Sequence, residues 1–203
     1  MTSSKPKKDK EKQRRFAKLF LDIWEDPDFQ ALNVDAQHLF FMLLSSKQRT
    51  NAGVLPYTPG RFTRNAADLD RAIFDDAVTA LEAARFIVVD RESQEILIRS
   101  FVRNDEGIKQ PNMATNIGRT IGSIFSEEIL DALFTELARY MATSPELSGW
   151  ESLRNEVTPG QWQAISTRAQ RIQQTGEIDP DEGERTPENI LEYEQEMSAT
   201  VAY

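Results

Sequence analysis

The 203-residue chain contains no cysteine and a single histidine, His38. The first absence removes disulfide staples and thiolate metal ligands, and it fits a reducing, cytoplasmic setting. The second leaves no imidazole pair to hold zinc and few ways to build a nucleophile–base couple. His38 falls beside apolar residues of a helical pattern, where a partly buried or surface imidazole is the ordinary reading. No apolar run approaches the roughly 20 residues that span a bilayer. The amino-terminal MTSSKPKKDKEKQRR is basic and lacks the apolar stretch of a secretory signal. No phosphate loop of the GxxxxGK[ST] kind occurs. Acid pairs stand at Asp26/Asp28, Asp68/Asp70 and Asp75/Asp76. Each lies at a turn or helix start, where capping explains it better than magnesium does. These absences point away from an enzyme, from a metal or cofactor protein and from a membrane protein.

What is present is a core with polar appendages. Apolar residues make up 39% and charged residues 28%, respectively a little low and slightly high for a fully packed globule. The net charge of −9 is unevenly spread. Residues 1–120 carry 19 Lys+Arg against 17 Asp+Glu, and residues 121–203 carry 5 against 16. Lys5, Lys7, Lys8, Lys10, Lys12, Arg14, Arg15 and Lys18 crowd the amino terminus. The amino-terminal half can therefore approach a polyanion that would repel the carboxy-terminal part.

Residues 1–15 show no apolar periodicity and are expected to form a disordered basic arm. Residues 16–24 are apolar-rich and read as a first strand or an initial helix, broken by Glu25-Asp26-Pro27-Asp28. Over residues 34–46, Ala36, Leu39, Phe40, Leu43 and Leu44 lie at helical spacing, with Asn33 or Asp35 as the cap. Asn51-Ala52-Gly53 makes a turn, and Val54-Leu55-Pro56-Tyr57 is short and extended. Thr58-Pro59-Gly60-Arg61-Phe62 opens a short helix expected to stop near Asn65-Ala66. Asp70 caps a longer one, with Ile73, Phe74, Ala77, Val78, Leu81 and Ala84 on one face. Residues 86–90 and 95–102 are β-branched and aromatic runs around Arg91-Glu92-Ser93-Gln94, which predicts a hairpin.

Helix, short strand, short helix, longer helix and hairpin describe a winged helix-turn-helix over residues 16–105, a mostly α (α+β) fold. Residues 106–173 are expected to form a helical carboxy-terminal extension. It loops through Asn104-Asp105-Glu106-Gly107 and Lys109-Gln110-Pro111-Asn112 before a Ser126-capped amphipathic helix with Ile129, Leu130, Leu133, Phe134, Leu137 and Met141. That helix is expected to pack on the winged helix or across a dimer. A polar stretch containing Pro145 and Gly149 follows. Thr158-Pro159-Gly160-Gln161 has capping-box spacing and starts a further helix carrying Trp162, Ile165, Ala169 and Ile172. Residues 174–203 read as an acidic linker and tail. A short helix from Pro187, with Ile190, Leu191 and Met197, is either a docking peptide or a frayed end.

The segment Leu97-Ile98-Arg99-Ser100-Phe101-Val102-Arg103-Asn104-Asp105, followed by Lys109-Gln110-Pro111-Asn112-Met113-Ala114, resembles a group of helix-turn-helix proteins from phages and prophages of actinobacteria. Those are similar to the amino-terminal winged-helix domain of phage replisome organisers and replication initiators. The upstream pattern agrees: Leu39-Phe40 in a helix, then Gly53-Val54-Leu55-Pro56, a helix-turn-helix and a wing. The resemblance covers about residues 16–120 and implies DNA binding linked to phage replication in a bacterial host cytosol. The acidic carboxy-terminal part finds no match within it.

In a helix-turn-helix the third helix enters the major groove. Its exposed face here would be Arg71, Asp75, Asp76, Thr79 and Glu82, and three carboxylates weaken contact with phosphate. Only Arg71 suits base readout. Arg61 and Arg64 on the short helix, Arg91 at the wing turn, and Arg99, Arg103 and Lys109 at the wing's exit are better placed. Lys7, Lys8, Arg14 and Arg15 add the arm. Together they are expected to give salt-sensitive, largely sequence-independent DNA affinity; the plain alternative is that these residues only solubilise. No cofactor is expected. The expected function is therefore replication initiation or replisome assembly, with a replicative helicase or loader engaged by the acidic region and a homodimer left open. A transcriptional regulator is the runner-up, and a winged-helix protein-interaction module without DNA binding is the reading from a different class.

Overall fold

In the computed structural model, which describes residues 17–176, helix starts fall where polar side chains take up the free N–H groups of a first turn. A short 3-10 turn, Leu21–Glu25, replaces the strand or helix expected at residues 16–24. The Asp26 carboxylate then accepts the Asp28 and Phe29 N–H groups and opens α1 (Pro27–Ala31). Asn33, not Asp35, caps α2 (Val34–Leu44), accepting the Ala36 N–H at 2.8 Å. After β1 (Val54–Pro56) comes α3 (Pro59–Phe62), which ends before the expected stop near Asn65-Ala66. Asp70 accepts the Ile73 N–H at 2.9 Å and opens α4 (Arg71–Ala83).

The chain then forms β2 (Ile87–Asp90) and β3 (Glu95–Ile98), antiparallel with Val88 opposite Leu97 and Asp90 opposite Glu95. β1 adds to the other side of β3, Val54 opposite Leu97, so the order across the sheet is β1-β3-β2. The molecule is mostly helical with this one small antiparallel sheet among the described residues, an α+β arrangement.

The strand expected over 95–102 ends at Ile98. Phe101 and Val102 belong instead to α5 (Phe101–Asn104), where both are buried. The cause is tertiary. The carbonyl of Gly53, at φ +84°, accepts the Ile98 N–H at 3.0 Å, and a Cβ on Gly53 would stand 2.8 Å from the Phe101 Cβ. The bare backbone lets Phe101 fold down over the turn.

Where a loop was expected, a 3-10 turn (Gly107–Lys109) leads into α6 (Pro111–Ile121), whose buried side is Ala114, Ile117, Gly118 and Ile121. α7 (Glu127–Thr143) starts at Ser126, whose hydroxyl accepts the Ile129 N–H at 3.2 Å. The polar stretch around Gly149 holds one more helix, α8 (Gly149–Arg154). α9 (Pro159–Thr175) has the full capping box, with Thr158 and Gln161 serving each other's backbone N–H groups at 2.9 and 3.3 Å. It reaches Thr175 and stops at Gly176, φ +69°, so the helix extends past the linker boundary expected at 174.

Two cores meet at the sheet. On one face Leu55, Ile87, Ile96 and Ile98 pack with Phe29, Leu39, Leu43, Phe74 and Leu81 of α1, α2 and α4. On the other, Val54 and Leu97 pack with Ile108, Ile117, Leu133, Leu137, Trp150 and Ile165 of the later helices. α7 touches β2 and β3 directly, and α9 covers α7. The central strand is thus buried on both faces, each enclosed Leu or Ile contributing about 1.5–3 kcal/mol. The arm at 1–15, the acidic tail beyond Gly176 and the terminal helix expected from Pro187 lie outside the described residues.

Candidate nucleic-acid interface

Three side chains fix the surface made by α3, α4 and the β2–β3 turn. Phe62 of α3 stacks on Phe74 of α4 with centroids 5.9 Å apart, and Tyr57 lies 6.1 Å from the same ring. This apolar hinge holds α3 against α4 and leaves the polar residues of α3 outward. Arg61 and Arg64 are both exposed, and among the described residues neither enters an ion pair.

The other two cations of this surface are engaged. The Arg71 Nε donates to Asp75 Oδ2 at 2.6 Å, one helical turn away, and that bond raises the guanidinium pKa above its ordinary value. Arg91, on the hairpin turn, makes a two-pronged contact with Glu82 of α4 at 3.1 and 2.7 Å. Its pKa is raised by Glu82 first, and its guanidinium lies 5.9 Å from the Tyr57 ring centroid. Asp76 and Thr79 complete the outer face of α4, and the Thr79 hydroxyl donates to the Asp75 carbonyl at 2.9 Å. Arg61 and Arg64 therefore remain as cations open to an incoming anion, beside an α4 face dominated by carboxylates.

Arg99, Arg103 and Lys109 are not brought to this surface. Arg103 Nε donates to Glu136 Oε2 of α7 at 2.6 Å, and Arg99 Nε stands 3.6 Å from Glu136 Oε1. Both join the hairpin's exit to α7. Lys109 pairs with Glu106 at 2.6 Å, and Lys18 reaches the other oxygen of the same carboxylate at 3.0 Å. The Lys109 contact is the largest cause of the lowered Glu106 pKa. Lys7, Lys8, Arg14 and Arg15 lie outside the described residues.

The sequence reading missed Glu136, Arg139 and Arg85. Glu136 is 1% exposed and sits between Leu133 and Leu137 on the apolar side of α7. A carboxylate inside that stripe was the available signal. His38 is exposed on α2. Among the described residues no group of three or more His, Cys, Asp or Glu is placed to hold a metal, and no helix is long and apolar enough to cross a membrane. Comparison with protein-family models, with curated proteins and with solved structures finds no match.

Proposed function

We propose that this chain is a DNA-binding winged-helix protein of phage type, acting in replication initiation or replisome assembly. The observation that carries the reading is the pairing of topology with charge. The order is α2-β1-α3-α4-β2-β3 with β3 central; Arg61 and Arg64 are exposed on α3, and Arg91 stands on the hairpin. In a winged helix, α3 and α4 are the helix-turn-helix and β2–β3 is the wing. The carboxylates of α4 argue against base readout through the major groove, so affinity comes from phosphates met by α3 and the wing. Arg71 and Arg91 join by exchanging a carboxylate partner for a phosphate.

The place in replication rests on the resemblance carried by residues 97–105 and 109–114; a transcriptional regulator would use the same fold. In this reading the acidic residues beyond 173 engage a helicase or loader, since they would be repelled from DNA. One observation favours a second reading. Asp75, Asp76 and Glu82 give α4 an acidic outer face with Arg71 and Arg91 already paired, which suits a basic protein partner instead of nucleic acid.

Charge reversal separates the two. The triple change Arg61→Glu, Arg64→Glu, Arg91→Glu should abolish binding to duplex DNA while the circular dichroism spectrum stays unchanged. DNA affinity that survives the triple change would sink the proposed interface.

A further inference from the structure

The end of α9 fixes the point from which the acidic tail departs. The Gly176 N–H donates to the Ile172 carbonyl at 2.9 Å, in the left-handed conformation that closes the helix. One turn earlier the Gln173 side chain donates to the Ala142 carbonyl at 3.1 Å, beside the carboxy-terminal end of α7. The other end of α7 is joined to the hairpin, where Glu95 accepts the Ser126 N–H at 2.9 Å. Tyr57, whose N–H donates to the Gln94 carbonyl at 2.7 Å, ties that hairpin end to the α3–α4 surface. Gly176 therefore lies about one length of α7, roughly 25 Å, from the end that carries α3.

Charge limits where the tail can settle. Residues 177–203 carry nine Asp+Glu and one Arg. Residues 17–176 are themselves acidic, with 16 Lys+Arg against 22 Asp+Glu, and on balance repel that segment. The α3–α4 surface differs locally. Asp75 is taken by Arg71 and Glu82 by Arg91, so Asp76 is the one α4 carboxylate of the three outside these pairs. Arg61 and Arg64 stand exposed, with no ion pair among the described residues. Residues 1–16 add seven Lys+Arg against Asp9 and Glu11.

The chain is long enough to bring the two together. Fully extended, residues 177–203 reach at most about 90 Å, and a folded body of this size is about 40 Å across. About eight residues cover the 25 Å back along α7. Glu188, Glu192, Glu194 and Glu196 lie beyond them. A tethered segment meets its site at an effective concentration of about a millimolar, so ionic contacts too weak to hold a free peptide are occupied within one chain.

We propose that residues 188–196 dock on the cationic surface of α3, their glutamates against Arg61 and Arg64, and occupy in the free protein the surface that phosphates take in the DNA-bound one. The docking needs no DNA; its consequence rests on the DNA-binding reading of α3. A basic partner that captures the segment uncovers α3, so partner capture and DNA binding are coupled.

The chain has no cysteine, so Ser198→Cys in the full-length protein takes a single nitroxide spin label beside the segment. The measurement is paramagnetic broadening of backbone amides, without DNA. The amides of Arg61 to Arg64 should broaden at about 50 mM salt and recover towards about 1 M, where exposed charges are screened. The combined changes Glu188→Gln, Glu192→Gln, Glu194→Gln and Glu196→Gln should abolish the broadening, as should Arg61→Glu with Arg64→Glu. Sharp α3 amides in the parent, or equal broadening in the glutamine variant, would overturn the docking whatever the protein does with DNA. Broadening that fades on dilution would assign the segment to a second copy and overturn docking within one chain. Duplex titration then reads the consequence. The glutamine variant should bind about fivefold more tightly at about 50 mM salt. The changes Glu177→Gln, Asp179→Asn, Asp181→Asn and Glu182→Gln remove as much charge too near Gly176 to reach α3, and should alter affinity far less. Equal gains from the two sets would reduce the effect to net charge and overturn the coupling. Broadening in a protein that binds no DNA would uphold the docking and sink only the DNA reading of α3.

Discussion

Replacing Glu136 by glutamine keeps the shape of a buried side chain and removes the charge that three arginines share. The structure sets the size of the effect. Arg103 at 2.6 Å and Arg139 at 3.2 Å make charge-assisted bonds to it, each worth about 1 kcal/mol more than a neutral bond. The 3.6 Å approach of Arg99 adds less. The larger part is the loss of the buried pair itself, and removing one partner of such a pair costs about 3–5 kcal/mol. Arg103 is 38% exposed at its side chain, so solvent screens its share, and the lower end of that range, about 3 kcal/mol, is expected. For a chain of this size that lowers Tm by about 6–12 °C. Urea unfolding is the assay, and the midpoint should fall while the slope m holds, since no surface is newly exposed. A loss below about 1 kcal/mol would show that the cluster behaves as a surface network and does not hold α7 to the hairpin's exit.

Three further outcomes are expected. Gly149→Ala should cost about 3 kcal/mol or more, because its Cβ would stand 1.9 Å from the Ile108 carbonyl oxygen; Gly160→Ala, with nothing within 4 Å, should be neutral, and equal melting temperatures for the two would refute the close packing of α8. Hydrogen bonding from Ser126, and then from Ser93, holds the Asp90 carboxyl at about 2 against an ordinary 3.8. Its folded pKa is depressed, so the stabilisation is present above pH 3.8 and is lost as pH falls towards 2; Asp90→Asn should remove that part of the acid dependence from an unfolding-versus-pH series. Glu82→Gln frees Arg91 from its two-pronged partner, and duplex affinity should rise with a salt slope steeper by about one unit. An unchanged slope would place Arg91 off the interface.

Legibility followed the range of the interactions. α4 was readable because its cap, Asp70, and its stripe from Phe74 to Leu81 lie within one short segment. α6 was not. Its stripe is only Ala114, Ile117 and Ile121, broken by Gly118, a residue required because a Cβ there would lie 2.5 Å from the Glu156 Cβ. That contact is invisible from position 118 alone. Phe101 and Val102 look like strand residues and would extend β3, but the close approach of Gly53 turns them into α5. The candidate site divides the same way. Exposure of Arg61 and Arg64 follows from the short helix that carries them. From sequence alone Arg99 and Arg103 read as DNA contacts, because their partner, Glu136, is 37 and 33 residues away. On α4 a local reading sees three carboxylates around Arg71 and Thr79 but not their pairing, Asp75 with Arg71 and Glu82 with Arg91.

The most direct measurement is the affinity of the full-length protein for a random-sequence duplex between about 50 and 200 mM salt, compared with the Arg61→Glu, Arg64→Glu variant. The expected result is a log-linear fall with salt for the parent chain, and a slope shallower by about two units for the variant, since each lost phosphate contact removes about 0.9. Absence of binding at the lowest salt, or the same slope for both proteins, would contradict DNA binding through α3.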